Sequence, residues 1–234
     1  MLKKYVIVGG SSGIGLSLVK MLYEENDDIF VLSRTWNSNE LSDRVKYFEV
    51  DILSSSISWP DIGIDQIDGL VYMPGTIRLK PFTRISKAEF QEDLELNVFG
   101  AIGAIQHFLP LLKKAGGSIV LISTVAVSTG LQFHTSVALA KGALEGLAIS
   151  LAAELAPTIR VNVIAPSLVA TPLAERFLSS PEKIHAAEKR HALQKIGEPE
   201  DIANMIHFLL DNKGKWITGQ VLRVDGGMSS IKNT

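Results

Sequence analysis

Short, continuously apolar runs alternate along this chain with longer segments whose apolar residues recur at helical spacing. The apolar runs predict β-strands, and the periodic segments predict α-helices. The predicted strands cover residues 5–8, 29–32, 45–50, 69–72, 118–123, 160–164 and 220–224. The predicted helices cover residues 14–23, 86–114, 133–156 and 200–210, and residues 34–43 form a polar connection.

This alternation predicts an α/β fold. Because strands that are apolar throughout are typical of sheets buried on both sides, we expect a parallel sheet of about seven strands with helices on both faces. Right-handed crossovers then give a doubly wound, Rossmann-type sheet, with its ligand at the carboxyl ends of the strands. We interpret residues 1–234 as one domain, with an irregular or helical insertion at about 166–196 that covers the cleft.

The longest predicted helix, 86–114, has recognisable ends. Ser86 followed three residues later by Glu89 is a capping box. Pro110 lies near the other end, and the glycine pair at 116–117 stops the helix.

Composition excludes several classes of function. Apolar residues make up 46 % of the 234 residues, enough for a sizeable core, and 23 basic against 25 acidic residues give a net charge of −2. That balance argues against nucleic acid or an anionic membrane as the main partner. The absence of cysteine excludes disulfides and thiolate catalysis. Glycines interrupt the first apolar run too early for an export segment, so we expect a soluble cytoplasmic protein.

The glycine cluster between the first strand and the first helix predicts a dinucleotide site. Glycine permits the tight turn, lets the backbone approach a pyrophosphate and lets the helix pack on the strand, while the helix N-terminus attracts phosphate. A merely tight turn is the alternative. The residues of this candidate site are Gly9, Ser11, Ser12, Gly13, Ile14 and Gly15.

The ends of the next two strands indicate which dinucleotide. An acidic residue at the end of the second strand would bind a ribose 2′-hydroxyl, but the sequence there is Ser33-Arg34. A cation and a hydroxyl suit a 2′-phosphate, which favours NADP(H) over NAD(H); a solvated arginine is the alternative. Asp51, beside Ile52, is placed for the adenine amino group, or could simply cap its strand.

Several further motifs occur in order: Asn97 in Leu-Asn-Val-Phe-Gly, Lys141 in Ala-Lys-Gly-Ala-Leu, and the segment from Arg160 to Pro166. Together with the glycine pattern they resemble the short-chain dehydrogenase/reductase family nearly from end to end. The resemblance implies an NAD(P)-dependent oxidoreductase. It also implies a homodimer or homotetramer whose subunits contact each other through the two long helices and the last strand. It also places Gly75, Leu168 and Thr171 beside the cofactor.

The resemblance assigns roles at the reaction centre. Lys141 matches a lysine that binds the nicotinamide ribose, Asn97 an asparagine that holds a water, and Thr124 a serine that binds the substrate oxygen. The general-acid tyrosine of the family falls on Val137, which cannot carry a proton. Val8, residues 72–75 and Ser167 also depart from the family pattern.

His134 is the candidate substitute for the missing acid. The enoyl-reductase branch of the family places its tyrosine seven residues before the lysine, which is His134 here. An imidazole with its usual pKa near 6.5 could give a proton at neutral pH. Alternatively, His134 only begins the helix. His185 and His191 lie in the insertion and could reach the cleft, but we interpret them as histidines on a helix surface. Arg176 is interpreted as part of a solvated face.

Three functions remain open. The first is an oxidoreductase acting on a carbonyl, a hydroxyl or an activated double bond of a small, apolar substrate. The second is a catalytically silent NADP(H)-binding subunit or sensor, and the third a scaffold without nucleotide. The five histidines are scattered and have no accompanying carboxylate cluster, which predicts no metal site.

Overall fold

The computed structural model describes residues 2–36, 38, 41 and 44–232. Part of the predicted polar connection 34–43 therefore lies outside the described residues. The chain forms one seven-stranded sheet with the order β3-β2-β1-β4-β5-β6-β7. All neighbouring strands are parallel. The predicted α/β, doubly wound sheet is confirmed.

Strand boundaries follow the apolar runs closely. The strands are β1 Lys4–Val8, β2 Asp28–Ser33, β3 Val45–Glu49, β4 Gly69–Tyr72, β5 Ser118–Ile122, β6 Arg160–Pro166 and β7 Val221–Val224. Strand β6 runs two residues further than predicted, because its end pairs with β7 up to the register of Pro166 with Val224. The chain order reverses between β1 and β4, so their carboxyl ends flank a crevice.

Helices cover both faces of the sheet. They are α1 Gly13–Glu24, α2 Lys87–Leu94, α3 Gly100–Ala115, α4 Ala126–Thr129, α5 Thr135–Leu155, α6 Pro181–Glu188 and α7 Pro199–Leu210. Short 3-10 helices occupy Phe82–Arg84, Pro172–Phe177 and Asn212–Gly214. Helices α3 and α5 share one hydrophobic core with the sheet, around Phe108 and Leu144. Helices α1 and α7 share the other, around Leu18 and Ile206.

The predicted helix 86–114 is not one uninterrupted α-helix. Its capping box between Ser86 and Glu89 is present, but a π-helical segment, Glu95–Phe99, separates α2 from α3. A wider turn of this kind frees a carbonyl from the regular ladder, and the Tyr72 hydroxyl donates to the Leu96 carbonyl at 2.6 Å. Pro110 lies inside α3 without ending it.

Glycine at position 100 is a condition for this arrangement. A Cβ on Gly100 would lie 2.2 Å from the Tyr72 hydroxyl oxygen. The ring of Tyr72 is fully buried, and burial raises the pKa of its hydroxyl far above the usual value. Tyr72 is therefore a neutral donor that supports the π-helical segment.

Helix α5 is long and apolar enough, by length and composition, to cross a membrane. The same test is passed by core helices of soluble proteins. Its inward positions, including Leu144, Ala148 and Ala152, belong to the core beneath the sheet.

We expect Tyr72→Phe to lower the free energy of unfolding by roughly 1 to 2 kcal/mol, because it leaves the buried Leu96 carbonyl without its donor. Chemical denaturation monitored by circular dichroism measures the change. Tyr23→Phe is the matched control, because it keeps the ring that contacts Arg44. Equal stabilities of Tyr72→Phe and the wild type would contradict the assigned role.

Candidate functional site

A cavity of about 1090 Å³ opens at the carboxyl ends of the strands. Nearly all the site residues proposed from the sequence line it. They are Gly9, Ser11, Ser12, Gly13, Ile14, Gly15, Arg34, Asp51, Ile52, Gly75, Thr124, His134, Val137, Lys141, Pro166, Leu168 and Thr171. The remaining one, Asn97, is fully buried behind Gly75.

The glycine turn leaves the start of α1 open to an anion. Ser12 precedes the helix in an extended conformation, no described side chain caps the first turn, and that turn has no acidic residue. A Cβ on Gly15 would lie 2.2 Å from the Gly9 carbonyl oxygen, so only glycine lets helix and strand approach this closely. Free amides at the positive end of a helix fit a pyrophosphate.

The segment after β6 closes over the same turn. Gly13 has φ of +51°, and a Cβ there would meet the methyl carbon of Thr171 at 3.0 Å. Any larger residue at position 13 would therefore be strained and would push against Thr171. The contact places the start of the predicted insertion directly against the glycine turn at this end of the cavity.

The ends of β2 and β3, on the side of β1 away from β4, carry one cation and one carboxylate. Arg34 is exposed, whereas the neighbouring Ser33 hydroxyl donates to the Thr35 carbonyl at 2.8 Å. The Asp51 carboxylate accepts from the Leu53 amide at 3.0 Å, so one oxygen caps the strand end. Arg34, and not Ser33, is thus the group available to a ligand phosphate.

Lys141 brings a buried ammonium into the middle of the site. Its Nζ donates to the Ile122 carbonyl at 2.7 Å and to the Pro74 carbonyl at 3.4 Å, while the residue is only 5 % exposed. Burial lowers the pKa of Lys141 to about 7. The two carbonyls hold the side chain in place, and burial leaves it partly deprotonated at neutral pH.

One turn before Lys141, Val137 faces the same cavity. It is 5 % exposed and offers only methyl groups. His134 immediately precedes α5 and is half-buried at the rim. Its Nδ1 lies 2.6 Å from the Gln132 carbonyl, so one ring nitrogen is bound to its own loop. The structure thus gives His134 the helix-starting position, while leaving it on the cavity wall.

Asn97 lies in the π-helical segment and points toward Lys141. Its amide nitrogen donates to the Asp93 carbonyl at 2.7 Å, which fixes the side chain. Its Oδ1 is buried and has no hydrogen-bond partner among the described residues. A Cβ on Gly75 would lie 3.2 Å from both Asn97 Oδ1 and Lys141 Nζ. Glycine therefore keeps a small polar space free between these two groups.

A buried carboxylate, which no motif in the sequence indicated, connects the walls of the site. Asp93 is fully buried and accepts from the Thr76 hydroxyl at 2.6 Å and from the Ser136 hydroxyl. Arg78 lies 3.5 Å from the same carboxylate. These contacts hold the loop after β4 against the first turn of α5. An acidic residue in a helix gives no sequence signal of such distant partners.

One interpretation of the insertion was wrong, and a second was incomplete. His191 is not on a helix surface: it is 1 % exposed, lines the cavity and bonds to Ser167. Arg176 is exposed but not merely solvated, because it donates to the Ile77 carbonyl and lines the cavity. His185, by contrast, is exposed as expected. Periodicity could not detect these contacts, since both partners lie in irregular segments.

No group of three or more metal-ligating side chains comes together within residues 2–36, 38, 41 and 44–232. The polar groups of the cavity are hydroxyls, ammonium or guanidinium groups, imidazoles and carboxylates at separate places. The chemistry that this arrangement supports is binding of an extended anionic ligand next to a compact reaction centre.

Comparisons with known proteins agree with this geometry. The family model described as Enoyl-(Acyl carrier protein) reductase matches residues 61–229. A tropinone reductase homolog of Arabidopsis thaliana is 33 % identical over 245 residues, covering 97 % of this chain and 92 % of that protein. L-xylulose reductase of Bos taurus is 30 % identical, covering 96 % of each. The ligand-free aldohexose dehydrogenase of Thermoplasma acidophilum superposes with a TM-score of 0.88 at 27 % identity, covering 100 % of this chain and 97 % of that one.

We expect the buried Lys141 to make stability depend on pH. Between about pH 7 and pH 10.5 the unfolded chain keeps a proton on this residue that the folded chain has lost. The free energy of unfolding should therefore rise by about 1.4 kcal/mol per pH unit in that window and be flat below it. Urea unfolding from pH 6 to pH 9 measures the slope.

Lys141→Met is the reference for this measurement, because the other titrating groups cancel in the difference between the two proteins. The stability of the wild type relative to Lys141→Met should grow as pH rises above about 7. Parallel curves would show that the folded ammonium keeps its ordinary pKa.

Proposed function

The chain belongs to the short-chain dehydrogenase/reductase family, and we propose that it interconverts a carbonyl and a hydroxyl group, or reduces an activated double bond, with NADP(H). One observation carries the proposal: a single cavity joins an uncapped, glycine-lined helix N-terminus to a buried lysine and a threonine hydroxyl. The similar tropinone, L-xylulose and aldohexose proteins are named for carbonyl or hydroxyl chemistry.

The residues of the cavity fit an NAD(P) molecule. The first turn of α1 would bind the pyrophosphate, Asp51 and Ile52 the adenine, and Lys141 the nicotinamide ribose. Pro166, Leu168 and Thr171 would enclose the nicotinamide end, where the bound cofactor supplies or accepts hydride. NADP(H) is favoured because Arg34 is exposed at the end of β2, where an acidic residue would select NAD(H).

Thr124 is the proposed hydrogen-bond partner of the reacting oxygen. Its hydroxyl oxygen is placed by the Ala126 amide at 3.3 Å, and its side chain lines the cavity beside Lys141. Asn97 would hold a water in the polar space next to Gly75, satisfying its own unpaired oxygen. Proton transfer needs another group, because we place Val137 at the position of the family's tyrosine. His134, at the rim, is the candidate from the sequence.

A catalytically silent NADP(H)-binding subunit is the second candidate function. It is favoured because Val137 offers only methyl groups, which cannot transfer a proton. It is also favoured because the side-chain nitrogen of Lys141 donates to backbone carbonyls and not to a phenol. General acid–base groups typically contribute about 10²- to 10⁴-fold to a rate. A cleft that lacks one would bind its cofactor and turn over slowly or not at all.

We further propose that the protein is cytoplasmic and assembles as a homodimer or homotetramer. Phe99 on the π-helical segment and Leu139 and Ile149 on α5 are each more than half exposed, as apolar residues at a subunit contact would be. An apolar substrate is favoured by the lid residues Leu173 and Phe177, which line the cavity.

We expect the wild type to bind NADPH more tightly than NADH. Arg34→Ala should weaken NADPH binding by about 10-fold or more, because it removes the guanidinium that would bind the 2′-phosphate. NADH has no 2′-phosphate, so its binding should change little. Isothermal titration calorimetry with both nucleotides measures this. Lys20→Ala, which removes an exposed cation of α1 outside the cavity, is the matched control. Equal effects of Arg34→Ala on both nucleotides would contradict the NADP preference.

Gly13→Val should abolish binding of both nucleotides, because its side chain strains the turn and meets Thr171. The variant must retain the circular dichroism spectrum of the wild type for the result to count. Binding of neither nucleotide by the wild type would contradict the proposed function.

Val137→Tyr tests whether a missing phenol limits the rate. We expect turnover of benzaldehyde, cyclohexanone or crotonaldehyde with NADPH to rise by about 10²-fold or more. Val137→Phe, which adds the ring without the hydroxyl, should not show the gain. A silent wild type that Val137→Tyr activates would favour the second candidate function. Equal rates in the tyrosine and phenylalanine variants would contradict the assignment of position 137.

A further inference from the structure

Ser167 and His191 form a hydrogen-bonded pair on the cavity wall. Ser167 directly follows the last residue of β6, and His191 follows α6 in the insertion. The Ser167 hydroxyl oxygen lies 2.8 Å from His191 Nε2, and both residues line the cavity. The pair joins the carboxyl end of β6 to the insertion.

The contacts of the imidazole determine its tautomer. His191 Nδ1 lies 2.8 Å from the Ala187 carbonyl oxygen. Because a carbonyl can only accept, Nδ1 carries a proton, and in the neutral ring Nε2 accepts the Ser167 hydroxyl proton. A serine whose proton points at an oriented imidazole is arranged to exchange that proton, and its oxygen keeps lone pairs for a partner in the cavity.

The imidazole is also held rigidly. It is 1 % exposed, and a Cβ on Gly226 would lie 3.5 Å from its Cδ2 atom. The backbone carbonyl of His191 accepts from the Gln194 side chain at 3.0 Å. A ring fixed on several sides loses little freedom when a ligand binds, which is the condition for precise proton transfer.

The pair and the proposed reaction centre line the same cavity and are linked through the backbone. The Val125 amide donates to the Pro166 carbonyl at 3.0 Å, so the residues after β5 and β6 run side by side. Thr124 and Ser167, each adjacent to one end of that bond, therefore present two hydroxyls at neighbouring strand ends. Val137 and Lys141 line the same cavity.

We propose that Ser167 and His191 are the proton relay of this site, with Ser167 touching the reacting oxygen and His191 acting through it. This inference rests on the proposed oxidoreductase function. In the oxidising direction the substrate O–H bond breaks as its proton passes to Ser167 Oγ, while the Ser167 proton passes to His191 Nε2. A bound oxidised nicotinamide would accept the electron pair of the substrate C–H bond as hydride. The products are a carbonyl and an imidazolium, and reduction reverses each transfer.

His134 is the competing donor, and its surroundings favour it less. Its Nδ1 bonds to Gln132 in its own loop, and the residue lies half-exposed at the rim, where water reaches it. His191 is buried and already paired with a hydroxyl that faces the cavity.

The pairing can be tested without cofactor or substrate. Heteronuclear NMR of the imidazole nitrogens should show His191 as the Nδ1–H tautomer, with an Nε2 signal displaced by a hydrogen bond. Ser167→Ala should move that Nε2 signal, whereas His185→Ala, which removes an exposed histidine of α6, should not. An Nε2–H tautomer, or an unchanged signal in Ser167→Ala, would overturn the relay.

Its chemical role is tested by steady-state kinetics with NADPH and the carbonyl compounds that the wild type reduces. Ser167→Ala and His191→Ala should each lower kcat by about 10²-fold, with NADPH affinity within about twofold of the wild type. Added imidazole should restore part of the rate in His191→Ala alone, and Ser167→Thr should retain most of it. A purely structural role would give no rescue.

The experiments distinguish failure of the Ser167–His191 relay from failure of the proposed oxidoreductase function. Loss of activity in His134→Ala, with Ser167→Ala unchanged, would overturn the relay in favour of His134. A wild type that binds NADPH but reduces none of the compounds also overturns the relay and leaves cofactor binding intact. A wild type that binds no nucleotide overturns the proposed function itself. If His191→Ala does not fold, Ser167→Ala decides the kinetic test.

Discussion

A buried ammonium between the ends of two strands is the interaction on which this site depends. Removing a charge from water is costly, and carbonyl oxygens of the backbone offset part of that cost for Lys141. Those carbonyls belong to the end of β5 and to the segment after β4, so the sheet must be complete before the lysine has its partners. The fold therefore positions an amino group that exchanges its proton near neutral pH.

The neighbouring structure serves the same position. A π-helical segment turns Asn97 toward the lysine, and Tyr72 compensates the carbonyl that this wider turn frees. Asp93 holds the loop after β4 against α5 through Thr76 and Ser136, so the helix that carries Lys141 begins at a fixed place. Each of these groups is satisfied by protein except Asn97 Oδ1, which is directed into the site. The irregular features thus collect around the reaction centre, where a regular helix would place these groups differently.

The sequence predicted the parts of this structure that follow from local rules. Continuous apolar runs predicted the strands. The glycine turn predicted one end of the cavity, where Gly13 and Gly15 make contacts that no larger residue allows. Contacts between side chains that are distant in the sequence were not predictable. The π-helical segment is bonded by Tyr72, which lies on a different element, and His191 is bonded to Ser167, which lies 24 residues away in the chain. A single sequence carries no periodic signal for such pairs.

We propose that this cleft holds a nicotinamide dinucleotide while Ser167 and His191, instead of a phenol, face the reacting oxygen. A crystal structure of the protein with NADP+ and an unreactive alcohol analogue tests it most directly. We predict the pyrophosphate on the first turn of α1, the 2′-phosphate at Arg34, and the alcohol oxygen within hydrogen-bond distance of both Thr124 and Ser167. An alcohol oxygen bonded to His134, or a nucleotide bound outside the cavity, would contradict the account.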